Sequence, residues 1–585
     1  MLAGSGTFWL WIEGVNFDAT VFDCDDISAI RGASHALIEL PNLVFARLRT
    51  ALPGHAVEPV LIAGSQGLAL VTAGNGASLD QADIEAATRH ILRSTHETDE
   101  PPADLDGDAL LEALLPHLCF AVAVVPDTGN YASDRSRLRR AAAVAQFQSL
   151  TVDVPPPPDI AASEELAAMR PCRVDGFRPR TTRYWTSDGT LSPLSHAVAC
   201  RRVKGRGDRR KAFYQNASGF DFAATGGKAS FANMFEELVE KPPAGVAEQM
   251  QRKMAVLYLD GNEFGSLREE SAVTKNGEAA FADAIGVQRR AMLGGVLEAI
   301  GGDRDLQSHD PEKAYEPDGQ QRELPVYRFE TLMWGADESL FVFPAWGIKS
   351  ILNKLAELLE ESRTTVRLPS GAARRLTYAA GLVICNVKTP IRLVKTLAIE
   401  LAESAKDHSR QSNVLQYYAL GQLELPTAPL EEERQRLYGM NKEVQDSAFT
   451  LSIDSIPALF DQVRNIKGVS GQRELGIPRQ QLISLIRPAV EEGYLGSGGA
   501  SRTDPSFPTE VEDRLKELED LLSAPGYCKR DEITPITPAD VLTQELRGID
   551  RHPLMAIHHA LSLWSLIRED GPSTVAALAP AEMTS

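Results

Sequence analysis

The 585-residue chain has no Cys-x-x-Cys pair among its six cysteines, Cys24, Cys119, Cys172, Cys200, Cys385 and Cys528. Neither a zinc ribbon nor a dense disulfide framework is therefore supported. Cys172 and Cys200 could form half of a metal site, but thiols without evident partners are expected to be inert. No apolar run approaches the roughly 20 residues that a membrane span requires. The first residues, with Trp9 and Trp11 among acids, carry no basic leader, so a soluble cytoplasmic protein is expected, with no membrane partner. Positive charge is scarce as well. Sixty Lys and Arg against 80 Asp and Glu leave a formal net charge of −20, with a pI near 5.1. That balance excludes a surface that coats nucleic acid in general, although not a local basic groove. The length suffices for about three or four domains, each with its own core.

What is present centres on AVLYLDGNEFGSL, residues 255–267. The mostly apolar run Ala255–Leu259 predicts a buried strand with Asp260 at its end, and Gly261, Asn262 and Gly265 permit a tight turn before a helix. A carboxylate at a strand's mouth, followed by exposed backbone groups, suits a metal that carries a nucleotide phosphate, although Asp-Gly-Asn is also ordinary turn chemistry. A second stretch, YRFETLMWGADESLFVFP at 327–344, predicts two strands around Gly335-Ala336-Asp337-Glu338, a hairpin with acids at its tip. If that tip lies beside the end of the central strand, Asp260, Asp337 and Glu338 can share one or two Mg²⁺ ions. A third stretch, 378–418, reads as a strand, a Lys-Thr-Pro turn, an amphipathic helix with Leu393, Leu397 and Leu401 on one face, then Ala405-Lys406-x-x-x-Arg410 and a final strand. Lys406 and Arg410, four residues apart, are expected on one side of that helix.

In this order the three motifs resemble the palm of GGDEF-type cyclases and, more closely, the large palm-domain subunit of type III CRISPR complexes. That family shows a D-G-N strand end, a G-G-D-D hairpin and an A-K-x-x-G-R-N segment. Here Ala336 replaces the second glycine, Glu338 the second aspartate and Ser409 the glycine before Arg410. The resemblance implies that Asp260 and Asp337, with the carbonyl of Gly261, hold Mg²⁺ or Mn²⁺, and that Glu338 is a ligand or orients the nucleophile. It implies nucleotide contacts from Gly261, Asn262, Gly265, Ser266, Gly335, Ala336, Lys406 and Arg410. The implied reaction is attack of a ribose hydroxyl on the α-phosphate of ATP, giving cyclic or linear oligoadenylates that act in antiviral defence. RNA or CRISPR complex subunits are the implied partners. The alternatives are an RNA-binding scaffold subunit with an idle palm, and a diguanylate cyclase; the latter usually pairs two catalytic chains, whereas this chain supplies both palms and needs no homodimer.

The resemblance further implies an α+β fold with two ferredoxin-like palm domains and a helical C-terminal domain. The expected divisions are 1–153 for a first, non-catalytic palm, 154–249 for a connecting segment, 250–424 for the catalytic palm and 425–585 for the helices. In the first palm the hairpin tip Gly64-Ser65-Gln66-Gly67 carries no acid. Asp23, Asp25 and Asp26 read as caps or solvated loop residues. Ile30–Ser34 resembles a palm helix start, which makes Gly32 and Ser34 candidate nucleotide contacts or merely small packing residues. The prolines at 155–158 mark a linker. Seven of the eleven residues from Arg201 to Lys211 are basic, which suggests either a solvated face or a phosphate-binding surface. The 301–325 segment reads as a polar loop, so its His309-Asp310 does not indicate a nuclease. His552, His558 and His559 lack further ligands at metal spacing and read as core or surface histidines.

Overall fold

The computed structural model describes residues 6–93, 105–148, 171–222, 230–310 and 324–467, with short gaps inside these ranges, and parts of 479–487 and 558–566. The linker prolines, the glycine-rich 493–508 stretch, His552 and most of the helices expected after 478 lie outside the described residues.

The first half opens with β1 (Thr7–Val15), followed by the long helix α1 (Ile27–Ala51), the hairpin strands β2 (Ala56–Ala63) and β3 (Gln66–Thr72), the helices α2 (Gln81–Arg93) and α3 (Gly107–Leu114), the strand β4 (Cys119–Pro126) and the helix α4 (Tyr131–Gln148). The strands align in the order β2-β3-β1-β4, all antiparallel. Asp26 caps α1, accepting a 2.9 Å hydrogen bond from the amide of Ala29. This is the capping role expected of it, since a short acidic side chain satisfies an amide that the first turn leaves unpaired.

Two helices of the connecting segment, α5 (His196–Lys204) and α6 (Gly207–Ser218), lead into a second sheet. That sheet is built from β5 (Lys253–Gly261), the helices α7 (Phe264–Ser271) and α8 (Lys275–Gly302), the hairpin strands β6 (Glu330–Trp334) and β7 (Glu338–Pro344), the helix α9 (Ile348–Leu358), the strand β8 (Tyr378–Asn386), the helix α10 (Ile391–His408) and the strand β9 (Val414–Ala419). Its order is β6-β7-β5-β8-β9, continued by the short strand Leu451–Ser452. The four strands β6, β7, β5 and β8 repeat the path and neighbour order of β2, β3, β1 and β4. Both sheets are thus wound β-α-β-β-α-β, and the chain is of the α+β class. An apolar face of α8 is buried through Phe281, Ile285, Met292, Val296 and Ile300. After β9 the described chain is mainly helical, through Leu430–Tyr438, Lys442–Phe449 and Ile456–Lys467.

Part of 301–325 is not a loop. Gln307–Asp310 is a strand that pairs antiparallel with Leu324–Tyr327, which extends a small separate sheet. A polar composition hid it, because an edge strand needs only one apolar face. His559 is a core residue, as expected, between the Tyr417 hydroxyl at 2.7 Å and the Ala448 carbonyl at 2.9 Å.

Three buried carboxylates, each shared by two arginines, tie the parts together. Glu330 on β6 is fully buried and accepts from Arg31 of α1, through Nε at 2.7 Å, and from Arg210 of α6 at 2.5 Å. Glu278 on α8 accepts from Arg135 of α4 at 2.9 Å and from Arg268 of α7 at 2.7 Å. Asp23, ahead of α1, is held by Arg178 and by Arg201 of α5, the latter at 2.8 Å. Asp23 is therefore neither a cap nor solvated. Burial, and then the nearby Arg31, push the Arg210 guanidinium down to about 10, which shows how tightly the cations crowd Glu330.

Four of the seven cations of the 201–211 run are taken up in ion pairs of this kind. Arg201 bonds Asp23, Arg202 pairs with Asp26 at 3.1 Å, Lys204 with Glu39 at 2.6 Å, and Arg210 with Glu330. These four cations cement the connecting segment to both halves. Removing the shared acid strands two buried cations, whereas removing one arginine leaves a one-to-one pair. Glu330→Leu should therefore cost about 3–5 kcal/mol in urea unfolding, and Arg31→Met clearly less. An Arg31→Met loss as large as that of Glu330→Leu would contradict the sharing.

Candidate functional site

Strand β5 is central in its sheet, and its buried residues Met254 to Leu259 anchor it rigidly. Asp260 at its end stands directly opposite Glu338, the first residue of β7, in the antiparallel register. The amide of Gly261 donates to the carbonyl of Asp337 at 3.1 Å, which fastens the hairpin turn to the end of β5. Gly335 closes the same turn through a 2.8 Å bond to the Glu338 carbonyl. Ala336 lies outside the described residues. Asp260, Asp337 and Glu338 are thereby gathered at one edge of the sheet, with Glu338 inside the ladder and not at the hairpin tip.

Lys406, in the last turn of α10, donates to the Asp260 carboxylate and, at 3.1 Å, to Glu403. Burial, the stronger influence, and the neighbouring acids hold the Asp260 carboxyl up at about 6 in spite of that lysine. Burial likewise raises Glu338, with Asp337 adding to the effect against a hydrogen bond from Tyr258. Burial works against the Lys406 charge, yet its bond to Asp260 wins and holds the ammonium above its ordinary range. Arg410 does not share a helical face with Lys406. The helix stops at His408, Ser409 is extended, and the exposed Arg410 follows a bend. Its carbonyl accepts from the Thr377 hydroxyl at 2.9 Å.

The turn after Asp260 uses a different residue from those foreseen. Glu263, not a glycine, takes the left-handed conformation, at φ 58°, and α7 starts at Phe264. Gly261 is needed for space, since a Cβ there would lie 2.6 Å from the Phe264 ring. Asn262 is buried, and its side-chain amide bonds the Thr377 hydroxyl at 3.1 Å and the Ser412 carbonyl at 3.2 Å. It therefore staples the ends of neighbouring segments. Gly265 and Ser266 are exposed in the first turn of α7, and the Ser266 hydroxyl bonds back to Glu263.

A cavity of about 260 Å³ lies where the second hairpin meets the first half. Asp337, Glu338 and Gly335 line it from one side, and Ser34, Glu13 and Gln66 from the other. Ser34 is thus beside the acids. Gly32 is not: a Cβ there would fall 1.8 Å from the Arg201 carbonyl, so this glycine lets α1 and α5 cross at backbone distance. A second cavity of about 300 Å³ lies across Trp334 and is basic, with Arg268, Arg289 and Arg290 in its wall.

Glu13 was not foreseen. It lies near the end of β1 as Asp260 lies near the end of β5, and it stands opposite Gln66 as Asp260 stands opposite Glu338. The segment Glu13-Gly14-Val15-Asn16-Phe17 repeats the pattern Asp260-Gly261-Asn262-Glu263-Phe264, including the left-handed residue, Asn16 at φ 59°. An acid-Gly-x-x-Phe spacing after two strands was the available signal. Cys172 and Cys200 are both buried, and among the described residues no group of three or more His, Cys, Asp or Glu side chains is arranged to hold a metal.

The second sheet is thus wound β-α-β-β-α-β, with an acid near the mouth of its central strand and two more on the adjoining hairpin. Solved structures narrow the likeness. The chain is similar in fold to a Csm1–Csm4 cassette in complex with cA4, at TM-score 0.52 and 11% identity over 96% of this chain and 70% of that one. It is similar to cassettes in complex with pppApA and with one ATP, each at TM-score 0.50 and 12% identity, over 96% and 97% of this chain and 70% of theirs. The fold is thus that of Csm1, the large palm-domain subunit of type III CRISPR-Csm complexes. No family model matches the sequence, and no curated protein does.

The Asp260 shift has a testable sign. A carboxyl raised from 3.8 to about 6 makes the folded chain bind more protons than the unfolded one in that window. This site's contribution to stability therefore falls as pH rises through it. Asp260→Asn, neutral throughout, should gain in unfolding free energy relative to the native protein between about pH 4 and pH 7. A pH-independent difference in paired urea titrations would mean that Asp260 is not perturbed.

Proposed function

We propose that the chain is a nucleotidyltransferase with two ferredoxin-like palms, of which the second joins ATP into cyclic or linear oligoadenylates within a type III CRISPR-like antiviral complex. The observation that carries this reading is the meeting of Asp260, Asp337 and Glu338 at one sheet edge, with Lys406 on the first of them. The fold likeness supports it, since the similar structures are described in complex with ATP, pppApA and cA4. ATP and other subunits of such a complex are the partners in this reading.

Asp260, Asp337 and Glu338 are not arranged as a ready metal site, but their hard carboxylate oxygens are the donors that Mg²⁺ or Mn²⁺ takes. Asp260, Asp337 and Glu338 would hold the ion, which when bound supplies charge neutralisation on the phosphates. Lys406 now takes one oxygen of Asp260. Once the carboxylate is engaged elsewhere, that ammonium is released toward the leaving phosphates. The α-phosphorus gains a bond to the attacking ribose oxygen and loses its bond to pyrophosphate, while the hydroxyl proton passes to solvent. Arg410, exposed beyond the helix, can add charge from outside.

A second reading, a scaffold with an idle palm, draws on the Lys406 bond to Asp260, which occupies the acid. Arg201, Lys204 and Arg210 of the 201–211 run are buried and paired with acids, so those three cations do not serve it for RNA. A diguanylate cyclase finds no specific observation in its favour.

The test is pyrophosphate release from ATP with Mg²⁺ or Mn²⁺, by the chain alone and with its complex. Asp260→Ala and Asp337→Ala should each abolish it, and full activity in both would reject the assignment. Lys406→Ala should cost about 2–4 kcal/mol of transition-state stabilisation, comparable to losing an oxyanion donor. A loss of melting temperature with turnover preserved would instead make Lys406 structural.

A further inference from the structure

Helix α8 braces the strands that carry the acids. Its adjacent residues Gln288 and Arg289 are both buried. Gln288 accepts a 3.2 Å hydrogen bond from the Tyr378 hydroxyl on β8, and Tyr378 stands opposite Gly261 at the end of β5. Arg289 reaches to the other side of β5, to the acidic hairpin. Its Cζ lies 4.0 Å from the centre of the Trp334 ring at the end of β6, and its Nη1 donates a long, 3.4 Å bond to the Glu338 carbonyl at the start of β7. One side chain thus touches both strands of the hairpin where they flank Asp337.

That placement is costly. Arg289 is 5% exposed, forms no ion pair among the described residues, and its Nη2 has no hydrogen-bond partner among them. The buried Arg31, Arg135, Arg201 and Arg210, by contrast, each bond a carboxylate. Burial pushes the Arg289 guanidinium down to about 10, and Tyr378, Asp337 and Glu338 act through space against this. An apolar side chain of similar length fills such a place at less cost than a cation whose hydrogen bonds are partly unmet. Packing under Trp334 therefore does not account for the charge. Its attraction to the Trp334 ring and to the two hairpin acids does.

We propose that Arg289 is a positioning residue for the acidic hairpin: it holds the turn from Trp334 to Glu338 against α8, so that Asp337 and Glu338 stay at the sheet edge beside Asp260. The backbone bonds of Gly261 and Gly335 fix the turn within the sheet. Arg289 fixes it toward the helix layer, on which those bonds have no hold. The metal-binding consequence rests on the nucleotidyl-transfer reading of the second half; the bracing itself does not.

The experiment compares the native chain with Arg289→Met, Arg289→Lys and, as a control that removes the same charge from the next, exposed position of α8, Arg290→Met. Mn²⁺ binding is measured by electron paramagnetic resonance, and backbone exchange by hydrogen–deuterium mass spectrometry of the metal-free protein. Arg289→Met should weaken Mn²⁺ binding by about 10–100-fold, the usual cost of losing a group that orients a metal ligand. It should also speed exchange in the hairpin, 330–344, relative to β5 and β8, with little change in melting temperature. Arg289→Lys keeps a charge over Trp334 and should recover part of both losses. Arg290→Met should match the native chain. Mn²⁺ affinity and hairpin exchange unchanged in both Arg289 variants overturn the proposal, as does exchange that rises equally through the whole sheet. If Arg289→Met does not fold, the Lys variant decides by the same two readings. A native chain that neither binds Mn²⁺ nor releases pyrophosphate counts against the transferase reading, and hairpin exchange alone then decides the role of Arg289.

Discussion

A buried carboxylate shared by two arginines is the interaction on which the geometry of this molecule depends. Glu330 sits at the start of β6, the strand that leads into the acidic hairpin, and it binds α1 of the first half and α6 of the connecting segment at once. Glu278 does the same between α4 and α7. Such clusters add little net stability, because desolvation cancels much of the attraction. Their geometry is nevertheless specific, since a fully buried acid tolerates only the arrangement that presents both guanidinium groups. The cavity between the halves exists because these contacts set one half against the other at a fixed distance.

The site shows a tension that the rest of the molecule does not. Around Glu330 and Glu278 two arginines share one acid. At the end of β5 the acids outnumber the single lysine, and burial, with the neighbouring acids adding to it, holds Asp260 and Glu338 above their ordinary pKa values. Local electrostatics of this kind cost stability and are typical of places that bind charge. The acidic and basic cavities share Trp334 and Gly335 in their walls.

Much of this centre was legible in the sequence, because its parts are local. An apolar strand ending in an acid, and a Gly-x-Asp-Glu turn between two strands, declare themselves within a dozen residues, and the order of motifs supplied the rest. What was hidden depends on partners far along the chain. Nothing near Arg201 or Arg210 shows that Asp23 and Glu330, more than a hundred residues away, will absorb them. Gly32 looked like a contact because only the crossing with α5 shows what it packs against. Arg410 was placed on a helix that ends two residues earlier, since the stop at His408 has no strong breaker in sequence. Glu13 was readable in principle, but attention to an acidic tip obscured the acid at the strand end.

The most direct measurement is a crystal structure of the chain with Mn²⁺ and a non-hydrolysable ATP analogue, with anomalous data to locate the metal. The expected result is a manganese peak bounded by Asp260, Asp337 and Glu338, with the Lys406 ammonium moved from Asp260 to a phosphate oxygen. A triphosphate bound elsewhere, with the Lys406–Asp260 pair intact, would contradict nucleotidyl transfer at this site.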